Sequence, residues 1–395
     1  MSKLLIDIGS TYFKVSSSEN LEQHFRNFDK NIFDDLNSKC ADTLTKYSKE
    51  DTYICSSANG GLSTLIIGIS QSFSLKFATN IAFNSGINII DTVLYSKIDE
   101  YTPPREEVDV VIVVGGIDSN ANIFDETLLK YLKEVKYHNI VYVGSQSSSE
   151  FLRENIENLK VFKNILTNKL HVDEDELKEY LTNLYQEDII GKEDIKELYS
   201  LTANQIYSTP YVVNRTLSDL NEHFDVVDPF LLIDIGGATT DIHYSTDLVH
   251  DNILTTSGYD RLVFKKLGVY KSRESLVFSA KNNEFVYELL DHLMVNENIL
   301  EEHSQKATRI LMQLAVFLVL YKVSKHHESY IELTLEKLNS IVLTGGITKV
   351  LGFEESQEII QFFYKKILHY HQTPKIILDS DYKIWTLRGS DNVSQ

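Results

Sequence analysis

Residues 4–15 read LLIDIGSTYFKV, and residues 231–242 read LLIDIGGATTDI. Each phrase is an apolar run that ends in Asp-Ile-Gly and continues into a turn of small and hydroxyl-bearing residues. A second pair of phrases, VIVVGGID at 111–118 and IVLTGGIT at 341–348, follows the first pair at nearly the same separation. Two phrases repeated in the same order indicate a duplicated domain, with one ligand held between the halves.

The composition of the 395 residues favours a soluble globular chain that is long enough for two sizeable cores. The net charge of −19 argues against a nucleic-acid-binding surface, because such a surface needs a basic stripe to replace the counterions of the phosphates. Neither Cys40 nor Cys55 has CxxC or His-linked metal spacing, so we expect reduced thiols in a cytoplasmic protein.

No segment of the sequence predicts membrane insertion. The chain enters a strand at Leu4, so we expect no signal peptide. The longest apolar stretch, residues 310–323, contains Gln313 and is shorter than the roughly 18–20 residues that a membrane span needs. We therefore predict a buried helix there.

Apolar spacing predicts an α/β chain. Strands and helices alternate up to about residue 145, and a Glu-, Lys- and Asn-rich segment with helical periodicity follows at about 150–225. The strand phrase then restarts after Asp228-Pro229. We accordingly predict a first domain at 1–225, elaborated by helices at about 150–225, and a second domain at 226–395.

The turn after each Asp-Ile-Gly phrase is suited to binding phosphates. A glycine-rich turn lets backbone N–H groups approach an anion closely, because no Cβ stands in the way. Asp7 and Asp234, at the strand ends, can hold a hydrated Mg²⁺ through its water shell. Two such hairpins facing each other would clamp a polyphosphate. The hydroxyl donors available in the turns are those of Ser10, Thr11, Thr239 and Thr240.

Gly345-Gly346 follows a predicted buried strand and supplies a third element. Glycine at this point lets a flat ring lie against the backbone at the start of the next helix. A plain strand-to-helix turn would look the same in isolation, but here the pair follows the second Asp-Gly hairpin. We find no GxxxxGK[ST] phrase and no GxGxxG phrase after a strand.

Taken together, DIGSTYFK at 7–14, DIGGATTD at 234–241 and IVLTGGITKV at 341–350 resemble the three nucleotide motifs of the actin, sugar kinase and heat-shock chaperone ATPase superfamily. The resemblance implies an actin-like ATPase fold with two duplicated ribonuclease H-like domains and a cleft between them. It also implies that ATP and Mg²⁺ are bound.

The same resemblance implies a role for individual residues. Asp7 and Asp234 would lie near the metal, and Lys14 matches the lysine that actin has at this spacing. Asp241 matches a second acidic residue of the chaperones that is a candidate for orienting the attacking water. The glycines and hydroxyls expected around the phosphates and the adenosine are Gly9, Ser10, Thr11, Gly236, Gly237, Thr239, Thr240, Gly345 and Gly346.

A narrower resemblance covers residues 1 to about 260 and returns at 340–352. Its phrases, SSANGGLSTLIIGIS at 56–70, VVGGIDSN at 113–120 and STPYVVN at 208–214, are similar to those of the MutL/GlmL accessory family of glutamate (methylaspartate) mutase, which is distinct from the mismatch-repair protein of similar name. This resemblance implies a reactivase-like, ATP-driven accessory factor for an adenosylcobalamin-dependent enzyme.

The chain departs from the pattern of this superfamily at one position that concerns catalysis. Heat-shock chaperones carry Glu, and actin Gln, at a crossover shortly before the second hairpin, whereas this chain has Ser208-Thr209-Pro210 there. Gln205 is the closest candidate replacement. We therefore expect a weak ATPase, or one that a partner completes.

Two other functions stay open at this stage. A small-molecule kinase of the same superfamily would need a base aimed at a substrate hydroxyl, and we find no distinct Asp signature for one. An actin-like filament protein is the other alternative. Asp118 could be a cleft-facing acid, although a helix cap is the simpler interpretation. His326 and His327 could be metal ligands, but they are more simply interpreted as surface residues. His243 could be a base, and a plain strand residue is the simpler interpretation.

Overall fold

The computed structural model describes most of the chain. The described residues are 3–17, 20–57, 62–85, 87–116, 121–167, 173–191, 196–249, 258–264, 267–325 and 332–387.

The first Asp-Ile-Gly phrase lies in a five-stranded sheet. Its three leading strands form an antiparallel meander, β4 pairs in parallel with β1, and β10 pairs in parallel with β4. The sheet order is β10-β4-β1-β2-β3. The strands are β1 (Leu4–Ile8), β2 (Tyr12–Ser16), β3 (Leu21–Phe25), β4 (Thr52–Ser56) and β10 (Tyr207–Ser208).

The second phrase lies in a sheet of the same design. Three antiparallel strands are again followed by two parallel ones, in the order β13-β12-β11-β14-β15. This repetition of strand order confirms the predicted α/β class and the duplication. The strands are β11 (Phe230–Ile235), β12 (Thr240–Ser245), β13 (Tyr259–Phe264), β14 (Ser340–Gly345) and β15 (Lys375–Leu378).

A third sheet is inserted between β4 and β10 and is wholly parallel. Its order is β6-β5-β7-β8-β9. Its central strands are continuous apolar runs because both faces of the sheet are covered. The strands are β5 (Ser63–Gly68), β6 (Asn88–Leu94), β7 (Val108–Gly115), β8 (Tyr137–Gly144) and β9 (Lys160–Phe162).

The inserted sheet corrects one reading of the sequence. VIVVGGID ends β7, whereas IVLTGGIT ends β14, which is the fourth strand of the second duplicated sheet. The fourth strand of the first sheet is β4, which ends at Ser56 without a Gly-Gly pair. The matching separation of the two Gly-Gly phrases is therefore not part of the duplication, because β7 belongs to a different sheet.

The helices pack against these sheets. The predicted buried helix over residues 310–323 is the major part of α10, whose side chains are buried on nearly all faces. Within the described residues, no helix has both the length and the apolar character that crossing a bilayer requires. The helices are α1 (Ile32–Leu44), α2 (Lys76–Asn84), α3 (Glu126–Glu134), α4 (Gln146–Asn155), α5 (Asp175–Gly191), α6 (Thr209–Thr216), α7 (Leu220–Phe224), α8 (Arg273–Lys281), α9 (Glu284–His292), α10 (Gln305–Val323), α11 (Phe353–Lys366) and α12 (Lys383–Leu387).

The chain divides into two compact units. Both duplicated sheets belong to unit 1, and one apolar cluster joins them by packing Leu5 of β1 with Leu232 of β11 and Trp385 of α12. The predicted domain division at residues 225 and 226 stays a prediction. Unit 1 comprises Met1–Ala58, Leu198–Asn252 and Gly258–Gln395, and unit 2 comprises Asn59–Glu197 and Ile253–Ser257.

Candidate functional site

The two Asp-Ile-Gly hairpins of unit 1 turn in the same way. Gly9 N donates to Tyr12 O at 2.9 Å, and Gly236 N donates to Thr239 O at the same distance. A Cβ added at Gly9 would lie 2.9 Å from the Tyr12 carbonyl oxygen, so the turn closes tightly only around a residue without a side chain. The repeated sequence phrase thus corresponds to a repeated backbone turn.

The two turns also lie against each other. A Cβ added at Gly237 would lie 2.0 Å from Thr11 Oγ1 and 3.4 Å from Ser10 Oγ. Ser10 and Thr11 in turn bring their hydroxyls within 3.5 Å of one another. The structure therefore brings Gly237 of the second turn next to Ser10 and Thr11 of the first.

Asp7 is held by neighbours from three different segments. Lys14, opposite Asp7 in the β1–β2 register, donates from Nζ to Asp7 Oδ2 at 3.0 Å. Thr209 Oγ1 donates to Asp7 Oδ1 at 2.6 Å, and Cys55 Sγ lies 3.5 Å from the same oxygen. Asp7 is 1% exposed, so its charge depends on these partners rather than on water.

Asp234 occupies the equivalent position in the second hairpin but has a different environment. No donor among the described residues forms a hydrogen bond with its carboxylate, which retains some contact with solvent. Burial, opposed by Lys14 and reinforced by Asp241, Asp7 and Asp379, raises the pKa of Asp234 to about 7. Such a carboxylate has the capacity to bind a further cation.

Lys14 is the cation that the carboxylates share. Burial by itself opposes the charged form, but Asp7 and Asp234 outweigh it and raise the pKa of Lys14 above its ordinary value. The Lys14 Nζ also lies 4.5 Å from the centre of the Tyr382 ring, where the negative face of the ring attracts it. One lysine thus partly neutralises two aspartates from the two duplicated sheets.

Asp379 adds a third carboxylate, which follows β15. Thr344 Oγ1 donates to its Oδ2 at 2.9 Å, and the backbone N–H groups of Lys383 and Ile384 at the start of α12 donate to its two oxygens. Burial raises the pKa of Asp379 despite these donors. One weak signal in the sequence could have indicated this residue, namely an Asp directly after the short apolar run 376–378.

The carboxylates fit a hydrated Mg²⁺ better than a directly bound ion. Hard oxygen ligands are those that Mg²⁺ prefers, and this ion usually keeps several of its waters. Asp7, Asp234 and Asp379 do not form a cluster with all three ligand atoms within 4.8 Å of one another, as direct ligation by three carboxylates would require. The uncapped carboxylate of Asp234 is the oxygen best placed to hold such an ion through water.

The chain was compared with known proteins. It matches the family model of MutL protein over residues 3–387. The chain belongs to the MutL protein family.

A curated relative within this family is Protein MutL of Clostridium tetanomorphum. It is 24% identical over an alignment of 270 residues, and the match covers 62% of this chain. The match spans 58% of the length of that relative.

Solved structures resemble this MutL family member only distantly. The activator of the 2-hydroxyisocaproyl-CoA dehydratase from Clostridium difficile with bound ADPNP is 12% identical with a TM-score of 0.29, covering 99% of this chain and 92% of the other. Glycerol kinase of Plasmodium falciparum with ADP is 11% identical with a TM-score of 0.36, covering 98% and 88%. At TM-scores this low, no role of a residue can be transferred.

Asp241 has a strong partner that the sequence did not reveal. It lies opposite Asp234 in the β11–β12 register, where the first hairpin has Lys14. Arg261 of β13 donates to Asp241 from Nε at 3.1 Å and also from its terminal Nη2. The predicted water-orienting acid is therefore an ion-paired residue in this structure, and its catalytic role stays a prediction.

Thr239 and Thr240 point in different directions. Thr239 Oγ1 donates to Asp241 Oδ2 at 3.3 Å on the side of the site. Thr240 is fully buried, and its hydroxyl donates to Leu267 O at 2.9 Å. The prediction that Thr240 offers a hydroxyl to the phosphates is corrected here, because strand alternation turns its side chain into the core.

Gln205 is not brought to the site. Its side chain is exposed and accepts a hydrogen bond from Tyr207 Oη at 3.1 Å. Thr209, at the other end of β10, is the residue that reaches Asp7. The sequence located this crossover but selected the wrong end of a two-residue strand.

Position 345 requires glycine for a reason that the sequence did not indicate. Its φ of +85° is accessible to glycine, and an added Cβ would lie 2.2 Å from Asp234 Oδ1. Gly346, which begins a short 3₁₀ turn, has only Ile235 O at 4.0 Å from its added Cβ. Gly345 thus makes room for the Asp234 carboxylate, whereas Gly346 is open on that side.

Among the remaining sequence candidates, the structure describes His243. His243 is buried in β12 as a strand residue, with Nδ1 3.4 Å from Asn214 Oδ1. Asp118, His326 and His327 lie outside the described residues, as do residues 58–61.

Unit 2 contains a separate cavity of about 340 Å³ near the ends of β5 and β7. Its described lining is mainly apolar, with Phe73, Phe77 and Leu166 beside the hydroxyls of Ser70 and Ser74. None of these described lining residues is charged, so the cavity does not suit a polyphosphate.

Proposed function

We propose that this chain binds Mg·ATP at the paired hairpins of unit 1 and acts in the cytoplasm as an accessory factor for an adenosylcobalamin-dependent mutase. The observation that carries the nucleotide part is the contact of Gly237 with Thr11, which puts two glycine turns of identical geometry side by side. Membership of the MutL family supports the accessory part.

The phosphates would be bound by groups of both turns. Backbone N–H groups and the hydroxyls of Ser10 and Thr11 would donate to the phosphate oxygens, and Lys14 would contribute a fixed positive charge. Mg²⁺ would neutralise phosphate charge next to Asp234, which has no donor of its own among the described residues.

Hydrolysis would be slow in the isolated chain. A water that attacks the terminal phosphate has to be oriented by a polar side chain. Thr209 is already engaged with Asp7, and Asp241 is engaged with Arg261. We infer that a partner protein rearranges or completes this part of the site, which would couple ATP turnover to the state of the mutase.

Calorimetry of Mg·ATP binding tests the nucleotide part. We expect Asp7→Asn and Asp234→Asn to weaken binding by about tenfold or more, in line with the loss of a charge-assisted contact. Glu288→Gln, which removes one half of an exposed ion pair with Lys366, is the control and should bind as the unaltered chain does. Equal affinity for all four proteins would rule out this site.

Affinity purification from the native cells, with and without ATP, tests the accessory part. We expect a cobalamin-dependent mutase to co-purify and its recovery to change with ATP. A second test is stimulation of the ATPase rate by the purified mutase, compared with bovine serum albumin at equal concentration. If no mutase co-purifies and the mutase does not stimulate the ATPase, while ATP still binds, the proposed partner is wrong and the nucleotide site is retained.

A further inference from the structure

Three potential metal ligands meet at the edge of the first sheet. Glu22 and His24 are two residues apart on β3, so both side chains stand on the same face of the strand. Cys40 belongs to α1. The ligand atoms of these three residues all lie within 4.8 Å of one another.

The local backbone and hydrogen bonds support this cluster. Cys40 departs from helical dihedrals, with φ −127° and ψ 16°, inside α1. His24 Nε2 lies 3.1 Å from Glu22 Oε2, and Thr43 Oγ1 donates to the other oxygen of Glu22 at 3.1 Å. Thr43 thereby orients the carboxylate and leaves its second oxygen directed at the imidazole.

We propose that Glu22, His24 and Cys40 form a binding site for a borderline-soft divalent cation, for which Zn²⁺ is the best match. One thiolate, one imidazole and one carboxylate are the three kinds of ligand that Zn²⁺ takes in proteins. Mg²⁺ and Ca²⁺ prefer ligands that are all oxygen atoms. The sulfur and nitrogen ligands of this cluster therefore select a different kind of ion from the Mg²⁺ expected at the hairpins.

The solvent exposure of the three side chains indicates whether the zinc site would be closed or open. Cys40 is buried, whereas Glu22 and His24 each leave 29% of the side chain exposed. A solvent-facing fourth position would therefore be filled by water, giving a three-ligand site of open type. Because β3 is the edge strand of its sheet, the ion would tie this edge to α1.

The thiol chemistry argues against a reactive cysteine. Burial and the neighbouring Glu22 raise the pKa of Cys40 to about 11, so without a metal the residue is a protonated, poorly nucleophilic thiol. On binding, the thiol would release its proton to solvent and the sulfur would become a ligand.

Titration of metal-free protein with Zn²⁺ and Co²⁺ tests the site. We expect one high-affinity Zn²⁺ per chain by calorimetry and mass spectrometry, and a thiolate-to-Co²⁺ charge-transfer absorption. Cys40→Ser should abolish the absorption, and His24→Gln should weaken Zn²⁺ affinity by about 10–100-fold or more, at least the loss seen when an outer-shell partner is removed.

Two matched variants separate this site from adventitious binding. Cys55→Ser removes the other thiol, and His138→Gln removes a histidine from an exposed pair with Glu107 that has the same His–Glu chemistry without a cysteine. Both should keep the Co²⁺ absorption and the Zn²⁺ stoichiometry. Loss of the signal in Cys55→Ser, or its persistence in Cys40→Ser, would overturn the proposal.

A failure of Cys40→Ser to fold would not leave the proposal untested. His24 is partly exposed, so His24→Gln should fold, and the rise in melting temperature on adding Zn²⁺ can be compared between this variant and the unaltered chain. We expect the rise to disappear in His24→Gln. An equal rise in both proteins would show that Zn²⁺ binds elsewhere.

Discussion

The first and second hairpins share a backbone but not a charge pattern. Each turn is closed by the same 2.9 Å hydrogen bond from glycine. Opposite its aspartate, the first hairpin places Lys14, which pairs with Asp7, whereas the second places Asp241 opposite Asp234. Arg261, from the neighbouring strand, pairs with Asp241 and not with Asp234.

The two hairpins therefore have the same turn but a different residue opposite the aspartate. Asp7 accepts hydrogen bonds from Lys14, Thr209 and Cys55. Asp234 lacks a donor among the described residues, and its pKa rises to about 7. The second hairpin is therefore the one that gains most from an added cation.

The largest expected effect comes from removing the shared lysine. Lys14→Met would leave two aspartates without their common cation, and breaking a buried ion pair on one side typically costs about 3–5 kcal/mol in the free energy of unfolding. Urea denaturation measures this loss. Lys366→Met, which breaks the exposed pair with Glu288, should cost less than about 1 kcal/mol; similar losses in the two variants would contradict the sharing of Lys14.

The next effect concerns the space beside Asp234. Gly345→Ala would put a Cβ against Asp234 Oδ1 at a positive φ, so we expect a loss of about 2 kcal/mol in unfolding free energy and weaker Mg·ATP binding. Gly346→Ala is the matched control for stability, because its added Cβ would have only an ordinary contact with Ile235 O at 4.0 Å. If denaturation does not distinguish the two variants, Gly345 has no special relation to Asp234.

A smaller effect on stability is expected from changing Asp241, the residue at which the two hairpins differ most. Asp241→Asn removes a negative charge opposite Asp234, so the pKa of Asp234 should fall, while Arg261 loses its charged partner at a cost of about 1–2 kcal/mol in stability. NMR titration of the labelled carboxyl group reports the pKa. We also expect Mg·ATP to bind while hydrolysis slows; unaltered turnover would remove Asp241 from the mechanism.

The smallest effect is a pH dependence from His243 on β12. Burial, together with Arg261, lowers its pKa well below the ordinary value, so the folded chain keeps this histidine neutral. Below about pH 6.5 the unfolded chain binds a proton that the folded chain does not, and stability falls as pH falls by about 1.4 kcal/mol per pH unit.

Denaturation at pH 7.5 and 5.5 measures this dependence. His243→Gln should lose less stability between these two pH values than the unaltered chain does. His292→Gln, which changes a half-exposed histidine paired with Glu358, should behave like the unaltered chain. If His243→Gln loses as much stability between pH 7.5 and pH 5.5 as the unaltered chain does, the pH dependence arises from other groups.

The amino-acid sequence determined the parts that depend on neighbouring residues. Apolar runs of three or four residues followed by Asp-Ile-Gly specify a buried strand and a tight glycine turn, and the repeat of LLIDIG specifies that this happens twice. The α/β class and the family followed from these phrases.

Only the tertiary structure decided which distant residues meet. Thr209 and Asp379 reach the aspartate cluster from segments far along the chain, and β4 rather than β7 is the counterpart of β14. Apolar periodicity assigns a residue to a strand face but carries no information about strand order. For that reason the sequence pointed to Gln205 rather than to Thr209. Thr240 was misplaced for a different reason, since strand alternation turns its side chain into the core.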